Sequence, residues 1–108
     1  MKRGDIVTVA APGDYGKPRP AVIIQSDWLN ATDSVLVCLM TATLRPAPLY
    51  RLDIPAGTAT GLRHPSQIQV EKMMAIRRDK CGPVIGHLDE STLASLGRMA
   101  ALMIGVAD

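Results

Sequence analysis

Apolar and polar positions follow two different periods along this chain, and the change near Asp89 separates a strand-rich part from a closing helix. Residues 5–10 are rich in β-branched side chains and run into Pro12-Gly13, a turn signal. A polar loop follows from Gly13 to Pro20. Residues 21–25 and 35–40 are uninterrupted apolar runs of strand length, a pattern that calls for burial on both faces. Residues 49–54 alternate, with Tyr50, Leu52 and Ile54 on one face and Arg51 and Asp53 on the other. A loop over 56–61 leads to residues 66–71, where Ile68 and Val70 point inward and Gln67, Gln69 and Glu71 point outward. Residues 73–77 predict the next strand and 83–86 a short one.

The last segment has helical spacing. Asp89 suits an N-cap, Glu90 complements the first turn, and Leu93, Leu96, Ala100, Met103 and Ile104 fall on one face. Gly97 within this helix costs about 1 kcal/mol against alanine unless close packing requires it. Short strands with one helix predict a mainly β domain, a small and partly closed antiparallel barrel spanning 1–108 as a single unit. One helix covers one face only. Two strands buried on both sides therefore call for a second cover, most simply another copy of the chain, and a homodimer is expected.

Composition narrows the chemistry. Hydrophobic residues make up 47% of the 108, but phenylalanine is absent and aromatics reach only 3%, so the core is aliphatic and methionine-rich. That excludes single-strand binding by rows of stacked aromatics. A net charge of +2 is too small to indicate a nucleic-acid partner by itself. Cys38 reads as a core residue and Cys81, beside Gly82-Pro83, as a loop thiol; both are expected to be free in a reducing compartment. Met1-Lys2-Arg3-Gly4-Asp5 has no apolar stretch behind its basic pair, and no run approaches the ~20 residues of a membrane span. A cytoplasmic location is expected.

Phosphate-binding loops, nucleophile elbows and metal-ligand spacings are absent from the sequence, so neither a metal nor another cofactor is expected. His87 reads as a surface residue, and His64 lies beside Arg63 ahead of a strand. One polar constellation remains. Arg19 stands between Pro18 and Pro20, which restrict the backbone and aim its side chain at the start of a buried strand. Thr41 and Thr43 lie where the second buried run ends. Glu71, with Gln69 and Gln67, makes a polar strand face. Each has an ordinary alternative: a surface arginine, strand-end threonines and a solvated face.

The same positions carry a family resemblance. Arg3-Gly4-Asp5-Ile6-Val7, the loop leading to Arg19-Pro20-Ala21-Val22-Ile23-Ile24, and Leu39-Met40-Thr41 resemble the signature of MazF/PemK toxins. Looser counterparts follow over 66–77 and at Ile85-Gly86-His87-Leu88. The resemblance implies an SH3-like barrel of the CcdB/MazF type and a metal-independent endoribonuclease acting on single-stranded RNA under the control of an antitoxin. It places Arg19 and Thr41 at the catalytic arginine and threonine and Glu71 at a carboxylate proposed as general base. Lys17, Thr43, Ser66 and Gln69 fall along the implied RNA groove. Lys72, Met74-Ala75 and Gln69 depart from common family residues, which bears on the base and on RNA preference. Two alternatives stand beside this one: a CcdB-like protein that binds gyrase, and a non-catalytic SH3-like interaction domain, for which the aromatic content fits poorly.

Overall fold

The computed structural model describes residues 1–10, 13 and 17–106. Pro12 and residues 14–16 of the expected turn and polar loop lie outside them. Six strands form one antiparallel sheet: β1 (Asp5–Val9), β2 (Arg19–Ile23), β3 (Ser34–Thr41), β4 (Arg51–Ile54), β5 (Ser66–Arg77) and β6 (Cys81–His87). Their order is β4-β5-β3-β2-β1-β6, and helix α1 (Glu90–Met103) follows.

Alternation along each strand builds two cores, one on each face. Ile6, Val22, Cys38, Met40, Ile54, Ile68 and Val70 form the first, which α1 covers through Leu96. Val7, Val9, Ala21, Ile23, Val35, Val37, Leu39 and Ile76 form the second. Both are buried within a single chain, so the two-sided burial read from the sequence is met without a second copy. Burial of these runs therefore requires no dimer.

The two segments expected at 66–71 and 73–77 are one bent strand. Cys38 pairs with Met73 but Met40 pairs with Ile68, so residues 69–72 of β5 face Leu39 alone. This bulge switches the parity of the strand. Ile68 and Val70 join the first core before it and Met73 after it, while Met74 and Ile76 pack on the second. Glu71 and Lys72, at the switch, are exposed.

The two edge strands are drawn together by the segment between β4 and β5. The His87 N–H donates to Ala59 O at 3.0 Å. A Cβ at Gly61, whose φ is +72°, would lie 2.0 Å from Ile85 O, and one at Gly86 would lie 2.2 Å from Thr60 C. Only glycine permits this approach, and it covers the seam of the sheet. The result is the expected small barrel.

Asp89 caps α1 by accepting from Thr92 N–H at 2.7 Å. The helix packs on the first core through buried Leu96 and half-buried Leu93, Met99 and Ala100. Met103 is 40% exposed and Ile104, the C-cap, 66% exposed, so the end of the expected stripe leaves the core. A Cβ at Gly97 would meet only the tip of the Arg3 side chain, at 3.0 Å, which can move aside, so packing does not demand glycine there. Cys81 is in β6 opposite Val9 rather than in a loop. Among the described residues no helix is long and apolar enough to cross a membrane.

Candidate active site

The register of β2 on β3 pairs Ala21 with Leu39, and continuing it by two residues sets Arg19 opposite Thr41. Thr41 in turn pairs with Gln67, and Gln67 with Asp53. One row across four strands thus reads Arg19, Thr41, Gln67, Asp53. Their side chains share the face of the second core, since Ala21 and Leu39 lie two residues away on that face. Gln69 and Arg51, themselves a ladder pair, form the next row.

Hydrogen bonds fix these groups. Arg19 donates to Met40 O from Nε at 3.2 Å and from Nη2 at 2.8 Å, and Nη2 also donates to Gln69 Oε1 at 2.9 Å. The guanidinium is therefore clamped to the carbonyl that immediately precedes Thr41. Thr41 Oγ1 accepts from Thr43 N–H at 3.1 Å, which leaves the hydroxyl proton available to donate. Gln67 and Gln69 were expected to face solvent, but they are only 6% and 4% exposed. The reason is polar pairing on a covered face. Gln67 Nε2 donates to Arg45 O at 2.9 Å and to Asp53 Oδ1 at 2.8 Å. Its Oε1 accepts from Arg45 N–H and Arg51 Nη1, both at 3.0 Å.

The other sequence-derived residues are distributed unevenly. Thr43 and Lys17 are exposed beside the row, at the ends of β3 and β2. Glu71 is exposed at the bulge. Burial first, and then the negative charge of Glu71, push the Cys38 thiol up to about 12. Ser66 is on the opposite face of β5 from Gln67. It bonds to His64 O at 2.9 Å and lines a cleft of about 480 Å³ with Pro18, Pro20, Ala42 and Arg63. A larger cleft, about 770 Å³, lies at the far ends of β3 and β5 and is bordered by Arg77, Arg78 and Asp79. Arg77 and Asp79 pair with each other there, and none of the constellation reaches it.

Two groups escaped the sequence reading. The local sequence gives Arg51 only a strand face, because nothing near it shows that the face is shared with Arg19. His87 is a surface residue, as read, but its Nδ1 lies 2.9 Å from Asp5 Oδ1. Burial opposes ionisation of Asp5, but the bonds from His87 and Lys2 N–H outweigh it and hold the carboxyl below its ordinary value. Among the described residues no three His, Cys, Asp or Glu side chains gather in a way that would hold a metal ion.

Comparison with known proteins identifies the family and the fold. The family model of the PemK-like, MazF-like toxin of type II toxin-antitoxin systems matches residues 2–104. A probable endoribonuclease MazF of Mycolicibacterium smegmatis is 40% identical over 108 residues, covering 99% of each chain. Among solved structures, an endoribonuclease in complex with its cognate antitoxin from a mycobacterial species superposes with a TM-score of 0.82 at 17% identity, over 100% of this chain and 98% of the other. The Mycobacterium tuberculosis toxin MazF-mt6 gives 0.81 at 22% identity, over 96% and 98%. At those identities the structural likenesses establish the fold, and the sequence matches carry the family. The gyrase-binding and SH3-ligand alternatives draw no support from any of them. The chain belongs to the PemK-like, MazF-like toxin family of type II toxin-antitoxin systems.

Proposed function

We propose that this protein is the toxin of a type II toxin-antitoxin pair and an endoribonuclease that cuts single-stranded RNA without a metal. RNA supplies its own nucleophile, the 2′-hydroxyl. The protein has to orient it, stabilise charge on the phosphoryl group and assist proton transfer. The products are a 2′,3′-cyclic phosphate and a 5′-hydroxyl, and DNA is spared because it lacks that hydroxyl. The reading is carried by one observation: the Arg19 guanidinium is clamped on Met40 O beside Thr41, on the fold and in the family of known endoribonucleases.

Each group has a role. Arg19 supports the phosphoryl oxygens in the transition state. A phosphate oxygen is a stronger acceptor than the Met40 carbonyl or the Gln69 amide, so bound substrate can displace these two acceptors from the Arg19 N–H groups. Thr41 donates its hydroxyl proton to the same oxygens. Glu71 accepts the 2′-hydroxyl proton. Lys17 and Thr43 flank the row and contact the strand. Ser66, on the other face, meets RNA that passes over the sheet end into the cleft with Arg63 and His64. Gln69 acts on the substrate through Arg19. A cognate antitoxin and a second copy of the chain remain the expected protein partners, with exposed Trp28, Leu49, Ile104 and Val106 as apolar surface for them to cover.

The test uses purified protein, a fluorescent single-stranded RNA and excess chelator. Wild type is expected to cut in EDTA, and Arg19→Ala to lose roughly 10²-fold or more, the scale of one preorganised transition-state donor. Arg19→Lys is expected to restore little, since an ammonium lacks the planar fork. Melting curves accompany each variant, because Met40 O loses two donors. Full cleavage by a well-folded Arg19→Ala protein would overturn the assignment.

A further inference from the structure

Arg51 lies on edge strand β4, on the sheet face of Arg19, Thr41 and Gln67. Its ladder partner is Gln69, the residue whose Oε1 accepts from Arg19, so a single glutamine separates the two guanidinium groups. Arg51 is fixed through one nitrogen. Nη1 donates to Thr43 O at 2.8 Å and to Gln67 Oε1 at 3.0 Å. Gln67 makes three further bonds, two to the Arg45 backbone and one to Asp53, so its amide cannot rotate without losing them.

The opposite edge of the Arg51 guanidinium, where Nε–H and Nη2–H run parallel, makes no hydrogen bond or ion pair with any described residue. Asp53, two residues along the same face, gives its Oδ1 to Gln67 and is not an ion-pair partner of Arg51. A clamp on residue 43 needs only Nη1. What remains is a half-buried cation, held at one end, presenting the geometry that accepts two oxygens of one anion. Arg19 differs, since its Nε–Nη2 edge is directed at Met40 O.

We propose that Arg51 is a second phosphate-binding arginine of the substrate groove. It takes a backbone phosphate neighbouring the scissile one, while Arg19 attends to the scissile group. This rests on the endoribonuclease reading above. It assigns Arg51 to ground-state binding of the strand and not to the chemical step. Removing it should raise KM and leave kcat nearly alone. It should also reduce the salt dependence of binding, because one phosphate fewer is neutralised; for single strands the slope of log K against log salt changes by about 0.7 per phosphate.

The experiment maps the site cut by wild type, then measures KM and kcat on that RNA for wild type, Arg51→Gln and Arg51→Lys at several salt concentrations. Binding is read by anisotropy on the same oligonucleotide with a 2′-deoxy sugar at the cut position. For Arg51→Gln the expected result is a KM raised roughly tenfold, a kcat within about twofold, and a slope shallower by about 0.7. Arg51→Lys should keep the slope and recover only part of the affinity. An Arg51→Gln protein with wild-type KM and slope overturns the proposal. So does one whose kcat or melting temperature falls while KM and slope stay fixed, since that is a loop clamp alone. Failure of wild type to cut any RNA strikes the endoribonuclease reading itself, and the two failures are told apart by that control.

Discussion

Replacing Gln69 by methionine tests whether Arg19 is preorganised. The change keeps the length and covered position of the side chain but removes Oε1, the acceptor 2.9 Å from Arg19 Nη2. The guanidinium retains Met40 O, which accepts from Nε and Nη2, so one of its anchors is lost and not the whole clamp. A charge-assisted bond is worth about 1.5–3 kcal/mol when nothing replaces it. Because Nη2 keeps Met40 O, the loss falls below that range, at about 1–1.4 kcal/mol. If that energy goes into holding Arg19 where the transition state needs it, kcat falls about 5- to 10-fold and KM changes little. Gln69→Glu separates position from charge. A carboxylate holds Arg19 more firmly yet cancels its charge, so this variant should lose more activity than the methionine one. Single-turnover cleavage of the fluorescent RNA, with a melting curve for each protein, gives the comparison. A well-folded Gln69→Met protein with unchanged kcat would refute the positioning role, and a fully active Gln69→Glu protein would refute the electrostatic one.

Asp5→Asn should lower stability at neutral pH by about 1–2 kcal/mol, since the carboxylate is held by His87 and Lys2 N–H. Because the folded carboxyl is depressed, the wild-type advantage is full above the ordinary carboxylate range and fades as pH falls through the folded value; melting curves of the two proteins that stay parallel down to strong acid would contradict this. Gly61→Ala should cost more than about 3 kcal/mol, because its Cβ would meet Ile85 O, whereas Gly105→Ala, also at positive φ but in open space, should cost about 1 kcal/mol. Equal denaturation midpoints for the two would show that the seam contact does not matter. A thiol reagent should label half-buried Cys81 in the native protein and reach Cys38 only on unfolding, because burial raises the Cys38 thiol to about 12 and shields it; equal labelling rates by mass spectrometry would count against the core placement.

The sequence by itself determined most of the strands and the capped terminal helix, and it marked Arg19 and Thr41 as candidate site residues. Those are local properties: alternation gives the strands, Asp89 supplies the cap, and prolines on both sides of Arg19 mark it. The family signature, too, is written in short contiguous runs around Arg19 and Thr41. The tertiary structure alone decided what those side chains touch. Gln67 and Gln69 look solvated along the strand, yet they are covered because arginines from β2 and β4 reach across to bond them. Ser66 and Gln67 are neighbours in sequence and stand on opposite faces, so only one of them joins the row. The bulge at 69–72 is invisible to periodicity, since it comes from the mismatch between β3 and β5 rather than from either strand. Arg51 joined the site by register, a property of two strands paired at a distance, and no window of sequence contains both.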